Sequence, residues 1–329
     1  MRLIGLEEHF LTPAFLDGPG LSLKNQAHSD DPQLASRYIK LTNQLCDLDE
    51  GRLAAMDAAG INIQVLSLHS PGVEQLDPAS AIQVAQDTND WLASALRRHP
   101  DRFAGLAAMP LAVPDSAVTE LQRMVLRHGF KGAVINGHIR GRYLDDQFFW
   151  PVLECAEELR VPLYLHPAPP PKPVIETYYT GNFAPEVALQ LATPAWGWHI
   201  ETAVHVLRLI LSGAFDRYPN LQLVVGHLGE TLPFMLPRLN LTLPRELTRL
   251  ERSIGDYLRQ NVYYTISGFN FAPTFLDLFF QIGSDRIMFS ADYPWGSMEE
   301  ARIFLEKLPI SPADKERIAH SNAEHLLRL

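Results

Sequence analysis

Cysteine is almost missing from this chain: Cys46 and Cys155 are the only two among 329 residues. One widely spaced pair makes neither a disulfide framework nor a Cys-x-x-Cys metal knuckle, and such scarcity suits a reducing cytoplasm, the expected location. Long apolar runs are missing too. Nothing approaches the roughly 20 consecutive apolar residues of a membrane-spanning helix. Acidic Glu7 and Glu8 cut the first apolar run after six residues, unlike a secretory signal. Positive charge is in deficit, with 28 Lys and Arg against 38 Asp and Glu. The resulting formal charge of −10 argues against nucleic acid and membrane surfaces as partners. There is no glycine-rich dinucleotide fingerprint, internal repeat or interdomain linker. The rest is an ordinary globular composition, 47% hydrophobic and 20% charged, expected to form one domain over 1–329.

Apolar, strand-like runs occur at 3–8, 62–68, 103–110, 132–137, 162–166, 221–227, 262–267 and 287–292. They are mostly continuous and not alternating, as in parallel strands buried on both faces. Amphipathic segments near 50–59, 78–98, 114–128, 146–158, 199–214, 230–248, 272–281 and 297–307 fall between them. A final helix is signalled by Ser311 as N-cap and Pro312 as first helical residue. Eight strands alternating with helices predict an α/β fold of the (β/α)8 TIM-barrel type, with a doubly wound open sheet as the runner-up. Two long connections, about 10–48 and 167–198, follow strands. They should form walls or a lid over the active-site face, unless they are tolerated surface insertions.

Four strand-like runs end on residues able to bind a metal ion or move a proton. Glu7 and His9 stand in Leu6-Glu7-Glu8-His9, His166 ends Tyr164-Leu165-His166, His227 ends Val225-Gly226-His227, and Asp292 ends Ser290-Ala291-Asp292. Active sites of such barrels lie at the C-terminal ends of the strands. Glu7 and His9, two apart, leave the same strand face, and Glu8 faces the helices. Glu7, His9, His166 and Asp292 form a nitrogen and oxygen set suited to one Zn²⁺ or Mn²⁺. Lys131 stands at the start of the fourth run, not its end, so no lysine is placed to bridge two ions. His227 precedes Glu230 by three residues. Glu230 either orients that imidazole for acid-base work or serves only as a favourable acid at a helix N-terminus.

The candidate pocket contacts have two readings each. Asn136 offers an amide at the pocket mouth or closes a turn with Gly137. Arg238 binds a carboxylate or forms a surface ion pair. Trp196, Trp198, Phe269 and Trp295 clasp an aromatic ring or belong to the core. His205 reads as a packing residue or as a support behind the site, and His69, His138 and the other histidines as surface or loop residues.

At these residues the chain resembles the decarboxylase branch of the amidohydrolase superfamily, which includes hydroxybenzoate decarboxylases and 2-amino-3-carboxymuconate-6-semialdehyde decarboxylase. Leu6-Glu7-Glu8-His9-Phe10, Tyr164-Leu165-His166-Pro167, Glu201-Thr202-Ala203-Val204-His205, Gly226-His227-Leu228-Gly229-Glu230 and Ser290-Ala291-Asp292-Tyr293-Pro294-Trp295 carry the resemblance over nearly the whole length. Glu-x-His at the start is similar to the γ-resorcylate type. The resemblance implies one divalent ion on Glu7, His9, His166 and Asp292, proton transfer assisted by His227 with Glu230, and a homodimer or homotetramer in which Arg238 reaches a neighbouring site. The implied reaction is nonoxidative decarboxylation of an ortho-hydroxylated aromatic acid, with Asp292 or His227 protonating the ring carbon. The alternative is a metal-dependent hydrolase or hydratase acting on a lactone, amide or ring-fission product. A barrel that binds a ligand without catalysis is the third reading.

Overall fold

The computed structural model describes residues 1–329. Its strands are β1 (Ile4–Phe10), β2 (Ile63–Leu68), β3 (Phe103–Gly105), β4 (Ala107–Ala108), β5 (Ala133–Asn136), β6 (Leu163–His166), β7 (Leu223–Val225), β8 (Val262–Thr265) and β9 (Ile287–Met288). Every ladder is parallel, in the orders β1-β2-β3 and β4-β5-β6-β7-β8-β9. β3 and β4 are two pieces of one stave. Leu106 separates them and its N–H bonds Leu66 O at 2.9 Å. The other seam is closed by Leu6 N–H to Phe289 O at 3.1 Å and His9 N–H to Tyr293 O at 2.8 Å. The ring is an eight-stave (β/α)8 barrel.

Helices follow where the sequence signals them. Asp77 caps Pro78–Arg98 through Ala79 and Ser80 N–H, and Ser311 caps Pro312–Glu316 through Asp314 N–H. Three boundaries differ from expectation. The segment 230–248 divides into Leu232–Thr242 and Arg245–Thr248 at Pro244, which cannot continue a helix. Likewise 199–214 is the helix Gly197–Leu211, followed after Gly213 by Ala214–Arg217. The last strand-like run, 287–292, keeps regular pairing only to Met288: Phe289 N–H turns to Ile318 O at 2.8 Å, and Asp292 has a left-handed φ of 61°.

The two long connections carry helices of their own. Pro13–Leu16, Leu21–Gln26 and Pro32–Cys46 occupy the first, and Lys172–Tyr178 and Pro185–Ala192 the second. Pro32–Cys46 is held by Leu41 and Leu45, both buried. Arg52, fully buried, ties this insertion to β1: its guanidinium donates to Gln44 O, Asp47 O and His9 O at 2.7–2.9 Å. Leaving any of those carbonyls without a partner in the interior would cost roughly 1–3 kcal/mol.

Inside the barrel, Ile4, Leu6, Val65, Ala104, Leu106, Val134, Tyr164, Val224, Tyr263 and Met288 pack together, with Ala323 and Leu327 of the last helix against them. Ile4 and Leu6 facing inward should put Glu8 inward as well, by strict alternation. A β-bulge between Gly5 and Glu8 resets the parity. Above it Glu7 and His9 point inward, and Glu8 points out, accepting from Ala291 N–H and Tyr293 N–H at 2.9 and 3.2 Å. No helix is long and apolar enough to cross a membrane.

Candidate metal centre and acid-base pair

Glu7 is the centre of the site. One oxygen, Oε2, accepts hydrogen bonds from the hydroxyls of Tyr164, Ser267 and Thr265. Tyr164 lies two residues before His166 on β6, Thr265 ends β8, and Ser267 follows two residues beyond it. Burial and the neighbouring Glu7 hold the Tyr164 phenol well above its usual range, so it stays a donor. There is no room beside this clamp. A Cβ on Gly226 would lie 2.6 Å from Glu7 Oε2 and 3.0 Å from the Tyr164 hydroxyl.

The other oxygen, Oε1, is buried and has no hydrogen-bond partner. It faces three imidazoles, with His166 Nε2 at 3.2 Å, His227 Nε2 at 3.7 Å and His9 Nε2 at 3.9 Å. His9 Nε2 in turn lies 3.1 Å from Asp292 Oδ1, while its Nδ1 faces Ser67 Oγ at 3.4 Å. Burial opposes ionisation of Glu7, but His227 and His166 outweigh it and hold the carboxyl well below its usual value. Burial and the nearby His166 push His9 down to about 3, so that ring is neutral. An ionised carboxylate with a free oxygen and a neutral imidazole are the forms that ligate metal. Of the sequence-predicted ligands, Glu7, His9 and His166 each bring a donor atom within 4.8 Å of the others, and Asp292 Oδ1 joins them beside His9 Nε2, a nitrogen and oxygen set of the kind that suits a divalent ion.

His227 lies beside this set. The chain from His227 to Thr231 runs through five left-handed residues, with φ of 50, 57, 87, 53 and 70°. Each non-glycine residue there costs about 1–3 kcal/mol, and such strain gathers at functional sites. The turn brings Glu230 Oε1 to 2.7 Å from His227 Nδ1 and leaves Nε2 toward Glu7. Burial alone would lower the His227 pKa. The carboxylates of Glu230 and Glu7 reverse that and push it up to about 10. Glu230 does not serve as a helix N-terminal acid. The helix starts at Leu232, and the Glu230 carboxylate is buried between two histidines. Burial and the neighbouring Glu7 raise the Asp292 carboxyl above its usual range.

Of the expected pocket contacts, Phe269 stands in the site, its ring 5.2 Å from His199 and 5.3 Å from His227. Asn136 ends β5 in register with His166, and its buried Oδ1 has no partner. Its backbone N–H donates to Glu74 Oε1 at 2.8 Å. Trp295 stacks on His69 at 5.3 Å and meets Tyr38 of the first insertion edge-on, so that insertion does border the site. Trp196 is half exposed at the start of the helix Gly197–Leu211. Arg238 is exposed on the outer helix Leu232–Thr242 and lies outside the buried cluster of its own chain.

Several residues in and near the site were not picked out by the sequence pattern. His69 is no surface residue: its ring meets the His9 ring edge-on at 5.1 Å. His199 is no surface residue either, since its Nδ1 lies 2.5 Å from Glu230 Oε2. His138 sits in the turn after β5, as a loop residue should, but is buried and accepts from Gly141 N–H at 2.9 Å. The hydroxyl clamp was legible in principle, because Tyr164, Thr265 and Ser267 each stand an even number of residues from a strand's inward positions. His199 gave no such signal, since a histidine in a helix is placed only by the packing of that helix.

The sequence profile described as amidohydrolase matches residues 43–329. The chain is 37% identical to the γ-resorcylate decarboxylase of Polaromonas sp. (strain JS666), covering 99% of this chain and 98% of that protein. Among solved structures, a 2,6-dihydroxybenzoate decarboxylase in complex with 2,6-dihydroxybenzoate superimposes with a TM-score of 0.88 at 35% identity, covering both chains completely. A dihydroxybenzoic acid decarboxylase of Polaromonas sp. JS666, with bound manganese and the inhibitor 2-nitroresorcinol, also gives 0.88, at 36% identity over 100% of this chain and 97% of that one.

Proposed function

The chain belongs to the amidohydrolase family and is one of its carboxy-lyases, and on that premise we propose that it is a metal-dependent nonoxidative decarboxylase of hydroxybenzoates with a hydroxyl next to the carboxylate. The observation that carries this reading is the pairing of a converging Glu7–His9–His166–Asp292 set with a separately held His227–Glu230 pair. The manganese of the Polaromonas enzyme and the 2,6-dihydroxybenzoate of the other neighbour support it.

Glu7, His9, His166 and Asp292 would hold one divalent ion, Zn²⁺ or Mn²⁺. When bound, that ion supplies Lewis acidity and a template for the carboxylate and its neighbouring phenolic oxygen. The chain's own groups supply the proton. His227, held at Nδ1 by Glu230, presents Nε2 to the site, and Asp292 is the second proton carrier. The proton goes to the ring carbon bearing the carboxylate. The bond from that carbon to the carboxylate then breaks, its electron pair restores the aromatic ring, and carbon dioxide leaves. The donor is reprotonated from solvent. Phe269, packed on the His227 ring, would lie against the substrate ring, and the free Asn136 Oδ1 would accept from a substrate hydroxyl. Arg238 has no such place in its own chain, and its exposed position suits a homo-oligomer in which it meets a neighbour.

The test is carbon dioxide release from 2,6-dihydroxybenzoate and a panel of other ortho-hydroxybenzoates, with metal quantified on the same sample. Release that scales with bound metal is expected. A metal-loaded protein inert toward the whole panel would overturn the reading.

A further inference from the structure

Glu230 serves two imidazoles. Its Oε1 meets His227 Nδ1 at 2.7 Å, and its Oε2 meets His199 Nδ1 at 2.5 Å. All three residues are at most 9% exposed. They come from two separate parts of the barrel: His199 from the first turn of Gly197–Leu211, and His227 and Glu230 from the strained turn after β7.

The far side of His199 fixes which nitrogen carries its proton. Trp198 Nε1 lies 3.1 Å from His199 Nε2. An indole nitrogen only donates, so Nε2 accepts, and the ring proton sits on Nδ1, facing Glu230. The Pro194 carbonyl is also 3.1 Å from Nε2 and would be the partner of a doubly protonated ring. In that form too Nδ1 carries a proton. His199 therefore donates to Glu230 whichever of these two forms it takes. The ring is held edge-on against His227 at 4.9 Å and Phe269 at 5.2 Å, which removes its freedom to swing away.

A carboxylate held at one oxygen only is free to rotate and to leave its partner. Glu230 is held at both. We propose that His199 is a positioning residue of the proton-transfer pair: by occupying Glu230 Oε2 it reserves Oε1 for His227 Nδ1 and keeps His227 Nε2 aimed at the site. The function of that aim rests on the decarboxylase reading above, whereas the hydrogen-bond geometry does not. Partners of this kind typically contribute about 10–100-fold in activity.

The experiment compares the wild type with His199→Phe, which keeps a ring and loses the donor, and His199→Asn, whose amide nitrogen replaces Nδ1. Zinc-loaded protein is used, with zinc content and thermal unfolding confirming that all three are folded and loaded. His199→Phe should lower kcat on 2,6-dihydroxybenzoate about 10–100-fold with KM changed less than about twofold, and His199→Asn should recover most of the loss. In substrate-free protein, the downfield imidazole N–H signal of His227 should disappear in His199→Phe and persist in His199→Asn. An unchanged kcat in His199→Phe, an Asn variant no better than Phe, or an unaltered His227 signal would each overturn the proposal. If the wild type released no carbon dioxide, the functional reading would fall, and the His227 signal would still decide the role of His199.

Discussion

The Tyr164 hydroxyl donates to Glu7 Oε2 from across the barrel, while Glu7 Oε1 is left without any hydrogen-bond partner. One carboxylate is thereby divided into a fixed half and a free half. The clamp sets the direction of the free oxygen before any ligand arrives, which is the role of outer partners at metal sites.

The clamp should therefore control metal affinity more than fold. Tyr164→Phe and Ser267→Ala each remove one donor to Oε2. Each should weaken metal binding by about 10–100-fold with unfolding temperature little changed, as read by competition with a chelator. Wild-type affinity in both variants would show that the hydroxyls do not orient Glu7.

The two strand-end histidines should separate on mutation. His166→Ala removes a nitrogen 3.2 Å from Glu7 Oε1 and should lose metal and activity together. His227→Ala should retain metal and lose turnover by about 10²–10⁴-fold, the usual weight of a general acid. Metal analysis of the two purified variants checks this, and loss of metal from His227→Ala would make His227 a ligand.

Gly226→Ala places a methyl 2.6 Å from Glu7 Oε2. Its backbone φ is an ordinary −76°, so any effect comes from crowding and not from the chain's conformation. The expected outcome is a destabilised protein with weakened metal binding, seen by calorimetry and metal titration. Crowding of a packed interior typically costs about 1–3 kcal/mol.

Acid should weaken the fold through His205. Burial and the nearby Arg208 push its pKa down to about 3, against an ordinary value of 6.5. Between those values the unfolded chain takes up a proton and the folded one does not. Stability is full above about pH 6.5 and falls as pH drops toward 3, by up to about 1.4 kcal/mol per pH unit. His205 Nε2 accepts from Leu144 N–H at 2.9 Å, a bond that the amide of His205→Gln can keep. Chemical denaturation of wild type and variant across this range should give a difference that shrinks with falling pH. A constant difference would remove His205 from the acid response.

The barrel was legible in the sequence because continuous apolar runs separated by amphipathic segments have few other solutions, and the helix Pro78–Arg98 matches its expected limits. The closeness of Glu7, His9, His166 and Asp292 was legible because apolar runs stop at or beside each of them. Other features depended on tertiary context. The helices within 10–48 and 167–198 were missed because proline-rich, polar segments suggest loops, and burial of residues such as Leu41 and Leu45 decides otherwise. The left-handed turn at His227–Thr231 has only one glycine to announce it. His199 reaches Glu230 through the docking of a whole helix, which no local pattern reports.

The bulge in β1 lets one strand seal the barrel floor with Ile4 and Leu6 and still present Glu7 and His9 above. Two adjacent residues, Leu6 and Glu7, share what would be a single inward position. The extra residue is what lets floor and site share one face, because regular pairing with the same number of residues would turn Glu7 and His9 toward the helices. Shortening the strand by one residue here would leave His9 opposite Ser67 and facing inward, but only at the loss of either Leu6 from the floor or Glu7 from the site.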